Sequence, residues 1–82
     1  MPNKYDDYIH EFTNDDGKIY FAVCTWDEKS GEYYQPMDNE ERRLTGCSFY
    51  IAKTLEGIGG YNSRAKARYE AKKRFELWNN SN

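Results

Sequence analysis

Ile19-Tyr20-Phe21-Ala22-Val23-Cys24-Thr25-Trp26 reads as a β-strand: β-branched and aromatic residues dominate, with no glycine or proline. Period two sends Ile19, Phe21 and Val23 to one side and Tyr20, Ala22, Cys24 and Trp26 to the other. Asn14-Asp15-Asp16-Gly17 before it and Asp27-Glu28-Lys29-Ser30-Gly31 after it are turn sequences, each with a glycine placed for positive φ. Outward of the first turn, Tyr8-Ile9-His10-Glu11-Phe12 alternates weakly as a first strand. Outward of the second, Glu32 to Met37 makes a third. Pro36 shortens it and, lacking an N–H, predicts an edge position. Residues 38–46 are polar and read as a loop with room for a helical turn at Asn39-Glu40-Glu41-Arg42. Cys47 to Thr54 reads as a fourth strand centred on Phe49-Tyr50-Ile51, broken by Glu56-Gly57-Ile58-Gly59-Gly60.

From Ser63 to Trp78 the pattern becomes helical, rich in Ala, Arg, Lys and Glu, with Asn62 or Ser63 as N-cap. Ala67, Ala71, Phe75 and Trp78 share one face, and the two alanines predict close seating on the sheet. The expected fold is α+β: a two-layer domain over residues 1–82, with an antiparallel sheet of three to four strands covered on one face by the C-terminal helix. Residues 1–4 and 79–82 are expected to fray. The aliphatic set of the second strand is assigned to the helix side. The other face would then show Tyr20, Trp26, Tyr50 and Tyr34, because one helix cannot cover both.

Composition sharpens this. The chain has 82 residues, 38% of them hydrophobic and 17% aromatic. That excludes a two-domain enzyme, a coiled-coil or collagen-like rod and an apolar membrane-length stretch. Met1 to His10 is polar and acidic, unlike a signal peptide. Ile, Leu and Val together number eight, and tyrosines alone also number eight. A core this small, worth ~3–5 kcal/mol in net stability, cannot take every ring. Charge is divided along the chain: residues 1–41 carry −8 and residues 42–82 carry +6, for a total of −2. Either the halves neutralise each other, or an acidic surface meets a basic partner, or a basic helix meets phosphate.

The chemistry of catalysis is sparse. His10, the one histidine, has no spacing that joins it to a nucleophile and an orienting acid. Cys24 and Cys47 lack metal-ligand spacing, and are expected to be reduced, small and buried in a cytoplasmic protein. Asp6-Asp7 and Asp15-Asp16-Gly17 lack the alternating ligands of a calcium loop. Gly57-Ile58-Gly59-Gly60 lacks the Gly-Lys-Ser/Thr ending of a phosphate loop. No catalytic, cofactor or metal site is expected. Arg64, Lys66 and Arg68 oppose the helix dipole at its N-terminus, so the chain's own carboxylates are expected to offset them.

In order of elements the chain resembles the sheet-and-helix domains of plant-type AP2 proteins and integrase arm-binding modules, which imply DNA binding through the sheet. Strands 19–26 and 33–37 hold no Arg or Lys to meet phosphate or guanine. In size, acidity, tyrosine content and lack of catalytic parts it also resembles small phage-encoded anti-defence proteins, including anti-CRISPR proteins. That resemblance implies a non-enzymatic, stoichiometric inhibitor or adaptor in the host cytoplasm. Tyr20, Trp26, Tyr34 and Tyr50 would be anchors, and acidic turns bearing Asp15, Asp16, Asp27 and Glu28 would face a basic or nucleic-acid-binding surface of another protein. The alternatives are nucleic-acid binding through Arg64, Lys66, Arg68, Lys72 and Lys73, and homodimerisation through the open sheet face.

Overall fold

The structure, a computed structural model, describes residues 3–80, with side chains described for residues 3–76. Parts of the expected frayed ends, and the Trp78 side chain expected on the helix face, lie outside the described residues. A 3-10 helix at Lys4–Tyr8 leads into β1 (Ile9–Thr13) and β2 (Ile19–Val23). β3 (Thr25–Asp27), β4 (Glu32–Pro36), α1 (Asn39–Thr45) and β5 (Phe49–Ala52) follow, then α2 (Leu55–Ile58) and α3 (Arg64–Asn80). This is a small α+β fold of antiparallel strands with a C-terminal helix.

The strand expected over 19–26 runs as two, β2 and β3, because its partner changes at Cys24. The Cys24 N–H donates to the Tyr8 carbonyl at 2.8 Å, the last bond on the β1 side. β1 pairs only with β2, Ile9 opposite Val23 and Thr13 opposite Ile19. β4 pairs with β3, Trp26 opposite Tyr33. On the β2 edge away from β1, Phe21 and Tyr61 exchange backbone hydrogen bonds of 2.8 and 2.9 Å. The result is a two-stranded sheet, β1-β2, and a three-stranded sheet, β3-β4-β5, joined through one bent chain.

The third strand is central, contrary to the edge position that Pro36 suggested. β4 lies between β3 and β5, and Pro36 is its last residue, opposite Phe49. There the next residue supplies the ladder bond: the Met37 N–H donates to the Ser48 carbonyl at 3.0 Å. A proline at the non-bonded end of a strand costs no hydrogen bond, and Pro36 is fully buried.

The polar segment 38–46 holds a full helix, α1. Asp38 and Glu41 form a reciprocal capping box, and Gly46 closes the helix at φ 72°. The break at 55–60 holds the single turn α2, capped by Thr54. The hairpin glycines Gly17 and Gly31 take φ of 80° and 70°, as their turns demand.

α3 starts at Ser63, whose hydroxyl accepts the Lys66 N–H at 3.1 Å. Ala67 and Ala71 are fully buried against Ile9, Val23 and Tyr5, with Phe21, Tyr8, Tyr61 and Phe75 around them. Tyr8 stacks on Phe75 at 4.1 Å between ring centroids. The aliphatic side of β2 therefore faces the helix. Without side chains beyond Cβ at the contact, α3 sits close, and added volume there has no space. Replacing Ala67 by Leu is expected to cost about 1–3 kcal/mol in urea denaturation. The same change at exposed Ala65 is expected to cost far less.

Candidate functional site: an aromatic sheet face between acidic turns

Strand pairing decides which rings share the face away from α3. His10 lies opposite Ala22 and Phe12 opposite Tyr20. Trp26 lies opposite Tyr33, which is opposite Ala52, and Gln35 lies opposite Tyr50. Cross-strand partners occupy one face, so Phe12, Tyr20, His10, Tyr33, Trp26 and Tyr50 belong together. Three ring contacts are formed among them. Phe12 and Tyr20 are 6.0 Å apart. His10 meets Tyr33 edge-on at 5.7 Å, which joins the two sheets, and Tyr33 lies 4.7 Å from Trp26. Ala22 and Cys24, fully buried, occupy the stretch of strand between the pairing positions of His10 and Tyr33.

Trp26 and Tyr50 are each 46% exposed, although both are large and apolar-bodied. The Tyr50 hydroxyl donates to the Gly57 carbonyl at 3.0 Å, and the Tyr20 hydroxyl to an Asp16 carboxylate oxygen at 2.9 Å. These bonds hold the rings in one orientation, which lowers the entropy lost on contact. Burial and the Asp16 carboxylate raise the Tyr20 phenol above its ordinary pKa, the hydrogen bond being the larger cause.

Tyr34 is placed differently from the expectation. It lies opposite Thr25 and Ile51, one residue out of phase with Tyr33, and so faces the other side of the sheet, 5.6 Å from Phe49. Tyr33 takes its place in the row. The signal for this was available in the second turn: closing it at Asp27 opposite Glu32 puts Trp26 opposite Tyr33. Phe12 and His10 were also overlooked, because an isolated weak alternation does not reveal its register.

The acidic residues fall into two groups. Asp15 and Asp16 sit in the β1-β2 turn and Glu28 in the β3-β4 turn, whereas Asp27, expected in that turn, ends β3 opposite Glu32, one residue out of phase with Trp26 and so on the other side of the sheet. The turns lie at opposite ends of the chain running from Ile19 to Asp27, a span of at most roughly 26 Å at ~3.3 Å per residue. Asp16 also accepts the Lys18 N–H at 2.9 Å. Asp27 accepts the Ser30 hydroxyl at 2.6 Å. Among the described residues none of the four has a cationic partner.

The basic helix is different. Arg64 pairs with Glu11 at 3.0 Å. Arg68 grips Asp6 with two bonds of 2.7 and 2.9 Å, and this fork holds the Asp6 carboxyl below the usual carboxylate range. Arg74 donates to the Pro36 carbonyl at 3.0 Å and to Glu41 at 3.2 Å. The halves of the chain thus neutralise each other at three arginines. Lys66, Lys72 and Lys73 stay exposed and outside these pairs.

The cysteines diverge. Cys24 is buried, and desolvation pushes its thiol up to about 12, so it carries almost no thiolate at neutral pH. Cys47, expected to be buried, is exposed because it lies in the turn between α1 and β5. Among the described residues there is no group of three or more His, Cys, Asp or Glu able to hold a metal, and no helix is long and apolar enough to cross a membrane. No family model, curated protein or solved structure matches the chain.

Half-burial lowers the pKa of His10 from its ordinary 6.5. The unfolded chain then binds the proton more readily. Stability is full above pH 6.5, falls as pH drops through the interval down to the folded-state pKa, and levels off below it. In urea midpoints measured from neutral pH to about pH 5, His10→Phe is expected to flatten this slope while keeping an aromatic edge against Tyr33.

Proposed function

We propose that the protein is a non-enzymatic binding module, a stoichiometric inhibitor or adaptor of the anti-CRISPR-like kind acting in the cytoplasm. It covers a basic or nucleic-acid-binding surface of another protein. The observation that carries this reading is the set of rings on the face away from α3, with Trp26 and Tyr50 each 46% exposed and α2 touching it only beside Tyr50, and with acidic turns beyond Tyr20 and Trp26. An apolar centre with a polar rim is the usual anatomy of a protein interface. Aromatic side chains supply most of the energy at its centre. The uncompensated carboxylates of Asp15, Asp16, Asp27 and Glu28 supply long-range attraction and raise the association rate toward a cationic surface.

The reading through α3 is less well supported. Of the six cations of α3, Arg64, Arg68 and Arg74 already hold carboxylates of the chain itself. Three exposed lysines remain, and contact through them alone would weaken steeply with salt.

Once a partner is captured and identified, its affinity measured by titration calorimetry is expected to fall at least about 30-fold in Trp26→Ala, a loss of ~2 kcal/mol or more. Unchanged affinity in a folded Trp26→Ala/Tyr50→Ala double variant would remove the aromatic face from the interface.

A further inference from the structure

None of the five strands contains an Arg or a Lys. Residues 9–37, which carry the open face apart from Tyr50, hold six Asp and Glu against two Lys, a net charge of −4. Among the described residues no Arg or Lys lies over Trp26, Tyr33 or Tyr50. On the helix side the fold already joins ring, carboxylate and cation. The Arg64 guanidinium lies 4.8 Å from the centroid of the Phe21 ring while it pairs with Glu11 at 3.0 Å. The open side has rings and carboxylates but no guanidinium.

The hydrogen bonds of this face point the same way. A tyrosine hydroxyl has one hydrogen and two lone pairs. The Tyr20 hydroxyl gives its hydrogen to Asp16, and the Tyr50 hydroxyl gives its own to the Gly57 carbonyl. Both oxygens therefore offer a visitor lone pairs only, as the Asp16 carboxylate does. The donors left on the face, such as the Gln35 amide and the Trp26 indole, are neutral. A phosphate or carboxylate ligand would lose its water here without meeting a cation. A second copy of the same face would bring no cation either. A guanidinium, with five donors and no acceptor, fits what is offered.

Building on the binding-module reading above, we propose that the open face is a receptor for arginine, and that the partner segment covering it lays a guanidinium over the Trp26 ring beside Tyr33. Trp26 is the strongest cation receptor among the side-chain rings and is half open to solvent. Its ring plane stands 59° from that of Tyr33, at 4.7 Å between centroids, so a planar group stacked on one ring has the other at its flank. Lysine meets the same negative field, but its compact ammonium is more strongly hydrated and cannot stack. The partner is thus recognised by arginine and not by positive charge alone.

NMR titration of the full chain with a short oligoarginine peptide, and with an oligolysine of equal length, tests this at neutral pH. Shifts are expected at the ring protons of Trp26 and Tyr33, with oligoarginine bound about 5-fold or more tighter than oligolysine. Equal affinity of the two peptides overturns the arginine assignment and leaves the reading of a basic partner in place. Absence of ring shifts with either peptide overturns both. A single-stranded oligonucleotide that shifts the same rings also overturns the proposal. Trp26→Leu keeps an apolar side chain without the ring, and is expected to bring the two affinities level; a preference unchanged in this variant, folded by circular dichroism, is an overturning result. Should it fail to fold, Trp26→Phe keeps a weaker ring, and a reduced preference supports the proposal while an undiminished one contradicts it.

Discussion

Ala67 and Ala71 end at Cβ, and this determines how far α3 descends onto β1 and β2. The seat is close enough that both alanines, with Val23 beneath them, lose all contact with water. Arg64, Arg68 and Arg74 then fix the helix along its length to Glu11, Asp6 and Glu41, one carboxylate each from β1, the 3-10 helix and α1. A chain this short has one long helix to spend. Spent on this face, it leaves the opposite face to the rings themselves.

How those rings are arranged depends on the handover at Cys24. A straight eight-residue strand would place β1 and β4 on independent stretches of sheet. Instead the ladder passes from β1 on one edge to β4 on the other within a single residue, and His10 meets Tyr33 where the two sheets join. A large side chain at Ala22 or Cys24 would hold these rings apart. The small buried residues thus give the aromatic row its continuity, and the turns place carboxylates at its ends. The proposed binding role rests on that combination of open rings and uncompensated charge.

Much of this was legible in the residues. The strong strand at 19–26, the glycine-bearing turns and the change to helical period after Ser63 gave the α+β class; the aliphatic set of that strand indicated which side the helix covers, and the alanine pair that it sits close. The charge division along the chain has a physical origin in the arginine pairs of α3. What could not be read was anything set by register between distant strands. Tyr33 and Tyr34 are adjacent in sequence, and only the pairing with Trp26 decides which belongs to the open face. Pro36 misled because its meaning depends on whether it ends a strand or interrupts one. α1 was hidden because its capping box, Asp38 with Glu41, stabilises a helix that buries nothing, and such helices leave no apolar period to detect. Cys47 is exposed for a similar reason, since a turn position overrides the usual burial of a free thiol.

Solvent paramagnetic relaxation of side-chain protons, measured by NMR with a neutral soluble gadolinium agent, tests most directly whether one face is sealed and the other open. Strong relaxation is expected for the ring protons of Trp26 and Tyr50 and almost none for the methyls of Val23, Ala67 and Ala71. Trp26 and Tyr50 protons as protected as those methyls in the isolated chain would contradict the account.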